Sequence, residues 1–236
     1  MLTLDGLVIQ QGDFRLTADF TVPTGDRVAV LGPSGGGKST LLGAIAGFIR
    51  PTRGRILWNG EVLNDKPPGQ RPVSILFQEN NLFPHMTAEH NIGLGLKPDL
   101  KLSESERAQV NAALIRVGLD GLGKRKPAAL SGGQQSRVAL ARMLLRGKPL
   151  VLLDEPFAAL GPALKNEMLD LVNDLAKETG ATVLMVTHNP EDAHRFAPQT
   201  ILVAEGAALP PQDTDALFAN PPKALSQYLG NPNADE

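Results

Sequence analysis

The 236-residue sequence contains no cysteine, which removes disulfides, thiolate metal sites and cysteine nucleophiles together and fits a reducing compartment. Positive charge is not in excess either: 23 Lys and Arg stand against 25 Asp and Glu, for a formal net charge of -2. Proteins that grip nucleic acid through its phosphates usually display a basic surplus, so that partner class is demoted. The chain has no apolar run of about eighteen residues or more, the length a membrane-spanning helix needs. Met1-Leu2-Thr3-Leu4-Asp5 lacks the basic region and apolar core of a secretion signal. These absences predict a cytoplasmic protein whose membrane role, if any, runs through a partner. No internal repeat or low-complexity tract is present, and His85, His90 and His194 show no ligand spacing, so no structural metal site is expected.

What the chain does have is a series of short strand-like runs at Thr3–Val8, Phe14–Phe20, Arg27–Leu31, Arg55–Trp58, Val73–Phe77, Leu150–Leu153, Thr182–Val186 and Thr200–Ala204. The continuous apolar runs Leu150–Leu153 and Val183–Val186 read as strands buried on both faces, and the helical patterns between several runs fit a covered parallel sheet. The first two runs predict an antiparallel edge. Between Pro84 and Lys148 strand signals vanish, and helices are expected near Thr87–Leu96, Ser103–Val117 and Gly132–Arg146. Ser103-x-x-Glu106 is a capping box. The expected organisation is one domain: an α/β core over 1–83 and 149–209, an inserted helical subdomain over 84–148, and a short tail over 210–236 in which Asp213–Phe218 forms a short helix.

The most informative stretch is Gly32-Pro33-Ser34-Gly35-Gly36-Gly37-Lys38-Ser39-Thr40. It fits G-x-x-x-x-G-K-[ST], follows the apolar run Val28–Leu31 and opens a helical pattern, which is the strand–loop–helix context of a phosphate-binding loop. Glycines let successive backbone N–H groups point inward at a β-phosphate, and the following helix adds its positive dipole end. Lys38 supplies a point charge for the β- and γ-phosphates, and the Ser39 hydroxyl can ligate Mg²⁺. A second element, Leu150–Leu153 followed by Asp154-Glu155, places two carboxylates at the end of a buried strand. Asp154 is expected to hold Mg²⁺ through water, leaving Glu155 to act as general base on the attacking water. A third, Leu130-Ser131-Gly132-Gly133-Gln134, sets an N-cap serine and accessible backbone N–H groups at a helix start.

The word Leu-Ser-Gly-Gly-Gln resembles the signature of ABC-transporter ATPases, and the resemblance covers nearly the entire chain. It implies a P-loop NTPase (RecA-like) core with an antiparallel β edge and an inserted α-helical subdomain. It implies ATP and Mg²⁺ as ligands, with Gln78 contacting the metal and water and His188 contacting the γ-phosphate beside Lys38 and Glu155. It further implies a head-to-tail homodimer, each ATP lying between Lys38 of one chain and Ser131, Gly132, Gly133 and Gln134 of the other. The stretches Arg71–Thr87 and Asn91–Pro98 are similar to bacterial importer ATPases, most of all those of thiamine importers. That implies a membrane-spanning permease, a periplasmic thiamine-binding protein and a place on the cytoplasmic face of the inner membrane, with no nucleic acid partner. Polyamine, iron and sulfate importers remain alternatives, as do a soluble ABC protein acting on nucleic acid and a P-loop kinase.

Three departures from the family pattern stand out. Gln11 falls where an aromatic residue commonly stacks on adenine, with Phe14 the nearest ring. Gln135 and Ser136 replace the usual basic and amide pair after the signature, while Arg137 remains. Gly161 sits where the segment Ala158-Ala159-Leu160-Gly161-Pro162 leads one to expect an aspartate.

Overall fold

Apolar side chains that recur at strand and helix spacing along this chain are buried from two sides of one curled sheet. The computed structural model describes residues 1–77 and 81–229; Gln78 lies outside the described residues. In chain order the elements are β1 (Leu2–Gln11), β2 (Phe14–Val22), β3 (Arg27–Leu31), α1 (Lys38–Ala46), β4 (Arg53–Trp58), β5 (Glu61–Val62) and β6 (Val73–Leu76). Three helices follow, α2 (Ala88–Gly93), α3 (Glu104–Arg116) and α4 (Gly132–Leu145), then β7 (Leu150–Asp154), α5 (Pro162–Thr179), β8 (Thr182–Val186), α6 (Pro190–Phe196) and β9 (Gln199–Ala204). The chain closes with β10 (Ala207–Ala208), β11 (Gln212–Asp213), α7 (Thr214–Ala219) and α8 (Lys223–Tyr228).

Among the described residues 11 strands form one sheet in the order β5-β4-β1-β2-β10-β9-β3-β8-β7-β6, with β11 added on β9. Strands β9, β3, β8, β7 and β6 are mutually parallel. The other end is the expected antiparallel edge: β1 pairs with β2 from Leu2↔Val22 to Gln11↔Phe14, and β4 and β5 continue beyond β1. Alternation along the parallel strands separates two cores. Val28, Val30, Leu150, Leu152, Leu184, Val186, Ile201 and Val203 face α1 and the antiparallel strands. Ala29, Leu31, Leu76, Val151, Leu153, Val183 and Met185 face α4, α5 and α6. Helix α1 is therefore wrapped by sheet, and Leu41, Leu42, Ala44 and Ile45 have no exposed surface.

The C-terminal end of α1 is clamped by a buried arginine. Arg71 Nη1 donates to Ala44 O at 2.7 Å and Ile45 O at 2.9 Å, and its Nε donates to Lys66 O at 2.9 Å. The cation satisfies carbonyls that a helix end leaves without intrahelical partners. Burial lowers its pKa from the ordinary arginine value.

Helices α2, α3 and α4 enclose a separate cluster built on Ala88, Ile92, Val110, Leu114, Val117, Leu130, Val138 and Ala141. Ser103 closes its capping box with Glu106. Helix α2 is shorter than the expected Thr87–Leu96: Thr87 is its N-cap, and it stops at Gly93. Two residues on, the backbone passes so near α4 that a Cβ on Gly95 would lie 2.4 Å from Arg142 O. The tail carries more structure than the one short helix expected. Asp213 caps α7, and Leu217 and Leu225 pack on Leu202 and Ala204 of β9.

Candidate active site

The parallel strands deliver their carboxyl ends to one place, and the chain's polar residues gather there. Strand β3 runs into the loop at Gly32, whose φ of 149° and proximity to β9 leave no room for a side chain: a Cβ would lie 1.9 Å from Val203 O. Gly37 adopts left-handed backbone (φ 106°) as the N-cap of α1 and makes no side-chain cap, so the first N–H groups of the helix face the loop. Pro33 and Gly36 are partly covered, and Ser34, Gly35 and Ser39 are exposed. A cavity of about 360 Å³ opens here, lined by Gln11, Phe14, Ser34, Gly35, Gly37, Lys38, Ser39, Thr40 and Glu155.

Lys38 is almost completely buried and its Nζ donates to Gly32 O at 2.7 Å and Pro33 O at 3.0 Å. Burial lowers its pKa, and the nearby charges of Glu155 and Asp154 oppose that shift. The helix start and the end of β7 meet through Ser39 Oγ, which donates to Asp154 Oδ1 at 3.2 Å. Burial raises the Asp154 pKa; the Ser39 hydrogen bond pulls it back, Glu155 adds to the rise, and Lys38 opposes it. The Ser39 hydroxyl and the Asp154 carboxylate are hard oxygen donors brought side by side at the strand ends, the donor type Mg²⁺ takes either directly or through its retained waters. The donor set fits the metal expected from sequence.

Glu155 follows Asp154 in left-handed backbone (φ 46°). Its N–H donates to Val186 O at 3.2 Å, which ties the turn after β7 to β8. Its Oε2 is 3.4 Å from His188 Nδ1, and the two side chains keep 26% and 58% of their surface, so both remain reachable from solvent. Residues that sequence reasoning missed hold this loop. Thr187 Oγ1 donates to Asp192 Oδ2 at 2.8 Å, Asp192 pairs with Lys165 Nζ at 2.7 Å, and Asn189 N–H donates to Thr187 Oγ1 at 3.1 Å. Only a Thr-His-Asn run at a strand end hints at them in the sequence.

Lys38, Ser39, Asp154, Glu155 and His188 thus converge, whereas Ser131, Gly132, Gly133 and Gln134 do not line this cavity. They begin α4, where Ser131 Oγ accepts from Gln134 N–H at 3.3 Å and Gln134 Oε1 accepts from Ser131 N–H at 3.0 Å. Ser131 and Gly132 are exposed, and a Cβ at Gly132 would meet nothing. The departures have visible consequences. Gln135 Nε2 donates to Pro127 O at 3.1 Å and Leu130 O at 3.2 Å, fastening the loop before the helix. The Phe14 ring lies over Gly37, where a Cβ would come within 2.7 Å of it. Among the remaining histidines, His194 pairs with Asp215 and stacks near Phe218, and His85 lies against Phe83.

A family model described as ABC transporter matches residues 17–158, and the chain belongs to this family of ATP-binding cassettes. Over 230 residues it is 65% identical to the thiamine import ATP-binding protein ThiQ of Cereibacter sphaeroides, covering 98% of this chain and 100% of that one. The protein of the same name from Ruegeria sp. is 58% identical over 230 residues, again covering 98% and 100%. The solved dimeric ATP-binding cassette MJ0796, in a post-hydrolysis state bound to ADP and Pi, superposes with a TM-score of 0.79 at 30% identity, covering 91% of this chain and 99% of that one. The fold is accordingly the P-loop NTPase core of an ABC ATPase. Among the described residues no helix is long and apolar enough to cross a membrane.

Proposed function

We propose that this chain is the ATP-hydrolysing subunit of an importer for thiamine or its phosphates, working as a homodimer on the cytoplasmic face of an inner membrane. The observation that carries the ATPase reading is the meeting of Lys38, Ser39, Asp154, Glu155 and His188 at the strand ends. Lys38 and the N–H groups of 35–40 bind the phosphates. Ser39, and Asp154 through water, would hold Mg²⁺, with Gln78 as a further contact, and the ion would supply positive charge against the phosphates. Glu155 takes a proton from water as its oxygen bonds to the γ-phosphorus and the bond to the β,γ-bridging oxygen breaks, giving ADP and phosphate. His188 orients the γ-phosphoryl group beside Glu155.

Gly132 supports the dimer. It is exposed, its Cβ position is open, and no left-handed φ requires glycine. Glycine is a poor helix former, so its presence at the start of α4 fits close approach by a second chain's nucleotide, with Ser131, Gly133 and Gln134 beside it.

The permease is proposed to dock in a groove of about 410 Å³ between the parallel sheet and the 84–148 helices, lined by Phe48, Phe77, Phe83, Leu94, Arg142 and Arg146 among others. Phe48 and Phe83 are 57% and 43% exposed, whereas Leu82 is packed into both neighbouring cores. Ser74 Oγ, also in this groove, is buried without a hydrogen-bond partner among the described residues. Apolar rings beside two guanidinium groups suit a short helix carrying an acidic residue. Cysteines introduced at Phe48 or Phe83 of this cysteine-free chain should crosslink to the permease.

The choice of thiamine as substrate rests on similarity to the ThiQ proteins. Deleting the gene and measuring uptake of labelled thiamine tests it. Intact thiamine uptake with loss of polyamine, iron or sulfate uptake would overturn it.

A further inference from the structure

The only tyrosine of the sequence reaches the active-site loop from the far end of the chain. Tyr228 Oη donates to His188 O at 2.6 Å. Its position is fixed by packing: Leu225 of α8 is fully buried among Leu202, Ala204 and Leu217, Tyr228 rests against the same cluster, and Ser226 Oγ donates to Pro221 O at 3.1 Å. Before His188 the loop is fastened to α6 by Thr187 Oγ1, which donates to Asp192, and after it the Asn189 N–H donates back to Thr187 Oγ1. The planar peptide unit joining His188 to Asn189 is thus held from both edges, its N–H by Thr187 Oγ1 and its carbonyl by Tyr228, the one contact that reaches it from the tail. Burial and the charge of Glu155 both raise the phenol pKa, so Tyr228 stays a donor at neutral pH.

We infer that Tyr228 is a positioning residue for ATP hydrolysis: by holding the His188 carbonyl it keeps the imidazole beside Glu155, and the tail helix α8 thereby helps set the turnover rate. The inference rests on the proposed roles of Glu155 and His188. A phenylalanine keeps the ring packing and removes only the hydroxyl, so the effect should be that of one hydrogen bond.

In the assembled transporter, Tyr228→Phe is expected to lower kcat for ATP about three- to tenfold while KM for ATP and the melting temperature stay close to wild type. In a His188→Ala background the same substitution should change kcat no further, because the group it positions is gone. A wild-type kcat in Tyr228→Phe, or an equal loss with and without His188, would overturn the inference. Full turnover by His188→Ala alone would instead overturn the reading of the site on which it rests.

Discussion

His188 Nδ1 stands 3.4 Å from Glu155 Oε2, two side chains carried past the ends of the neighbouring parallel strands β7 and β8. The register Asp154↔Val186 puts the two chain turns side by side, and the Glu155 N–H to Val186 O bond locks one to the other. Glu155 is held at φ 46°, a left-handed conformation that costs a non-glycine residue about 1–2 kcal/mol. Strain of this kind persists where the surroundings over-determine it, and active sites are where it collects.

Glu155→Gln tests the chemical role of that carboxylate. The amide has nearly the same shape and cannot take a proton, so ATP affinity should persist while turnover falls by about 10²–10⁴-fold, the usual contribution of a general base. Size-exclusion chromatography should then show an ATP-dependent dimer. Turnover near the wild-type rate would remove Glu155 from the mechanism.

Asp154 makes a prediction about pH. Its pKa is raised by burial, so the native chain binds more protons than the unfolded one between the ordinary aspartate value and the raised value. Stability contributed at this site therefore falls as pH rises through that window. Asp154→Asn removes the charge and keeps an acceptor for Ser39 Oγ. The ligand-free variant should melt higher than wild type at neutral pH and lose this component of the pH dependence, while Mg²⁺-dependent turnover collapses. In a chain of this size about 1 kcal/mol shifts the melting temperature by about 2–4 °C, which scanning fluorimetry across acid to neutral pH resolves. A lower melting temperature at neutral pH would contradict the account.

The core was legible where period and motif agreed. The apolar runs at 150–153 and 182–186 are buried strands, and Ser103 and Ser131 cap helices as their spacing predicts. What stayed hidden depends on contacts far apart in the chain. Asn91 looked like part of a family word; the structure shows it fully buried, accepting from Phe83 N–H at 2.8 Å and donating to Phe83 O, Met86 O and Thr87 O. Arg71 and Tyr228 are similar cases, since each acts on carbonyls of another element that no local pattern announces. Gln11 and Phe14, the residues nearest to where adenine stacking is expected, both line the cavity beside the phosphate loop, a proximity that composition alone could not supply.

Gly132→Ala separates the needs of the chain from those of the dimer. Within the chain nothing occupies the Cβ position, and alanine favours a helix over glycine by up to about 1 kcal/mol. The isolated variant should therefore melt at or slightly above the wild-type temperature. In a Glu155→Gln background, however, the proposed packing of Gly132 against the partner's nucleotide predicts that the new methyl weakens or abolishes the ATP-dependent dimer. An undiminished dimer on size-exclusion chromatography would show that Gly132 does not face the second chain.

Gly161→Asp restores the residue expected in the family pattern, and the structure separates its local from its long-range effect. Gly161 is the N-cap of α5 at φ -64° and ψ 157°, followed by Pro162 at the first helical position, with no side-chain cap. That backbone suits aspartate, and a Cβ there meets nothing within 4 Å. An aspartate should accept from the free N–H groups of the first turn, and replacing glycine by a capping residue is worth a few tenths of a kcal/mol, about 0.3. Helix α5 also carries Lys165, which pairs with Asp192 under the His188 loop. A firmer helix start should therefore steady the segment between Glu155 and α5 and tighten coupling between the two ATP sites of the dimer. The expected outcome is a small rise in melting temperature together with a higher Hill coefficient for ATP hydrolysis by the assembled transporter. A stability gain with an unchanged coefficient and rate would make Gly161 a neutral turn variant and assign the coupling to other residues.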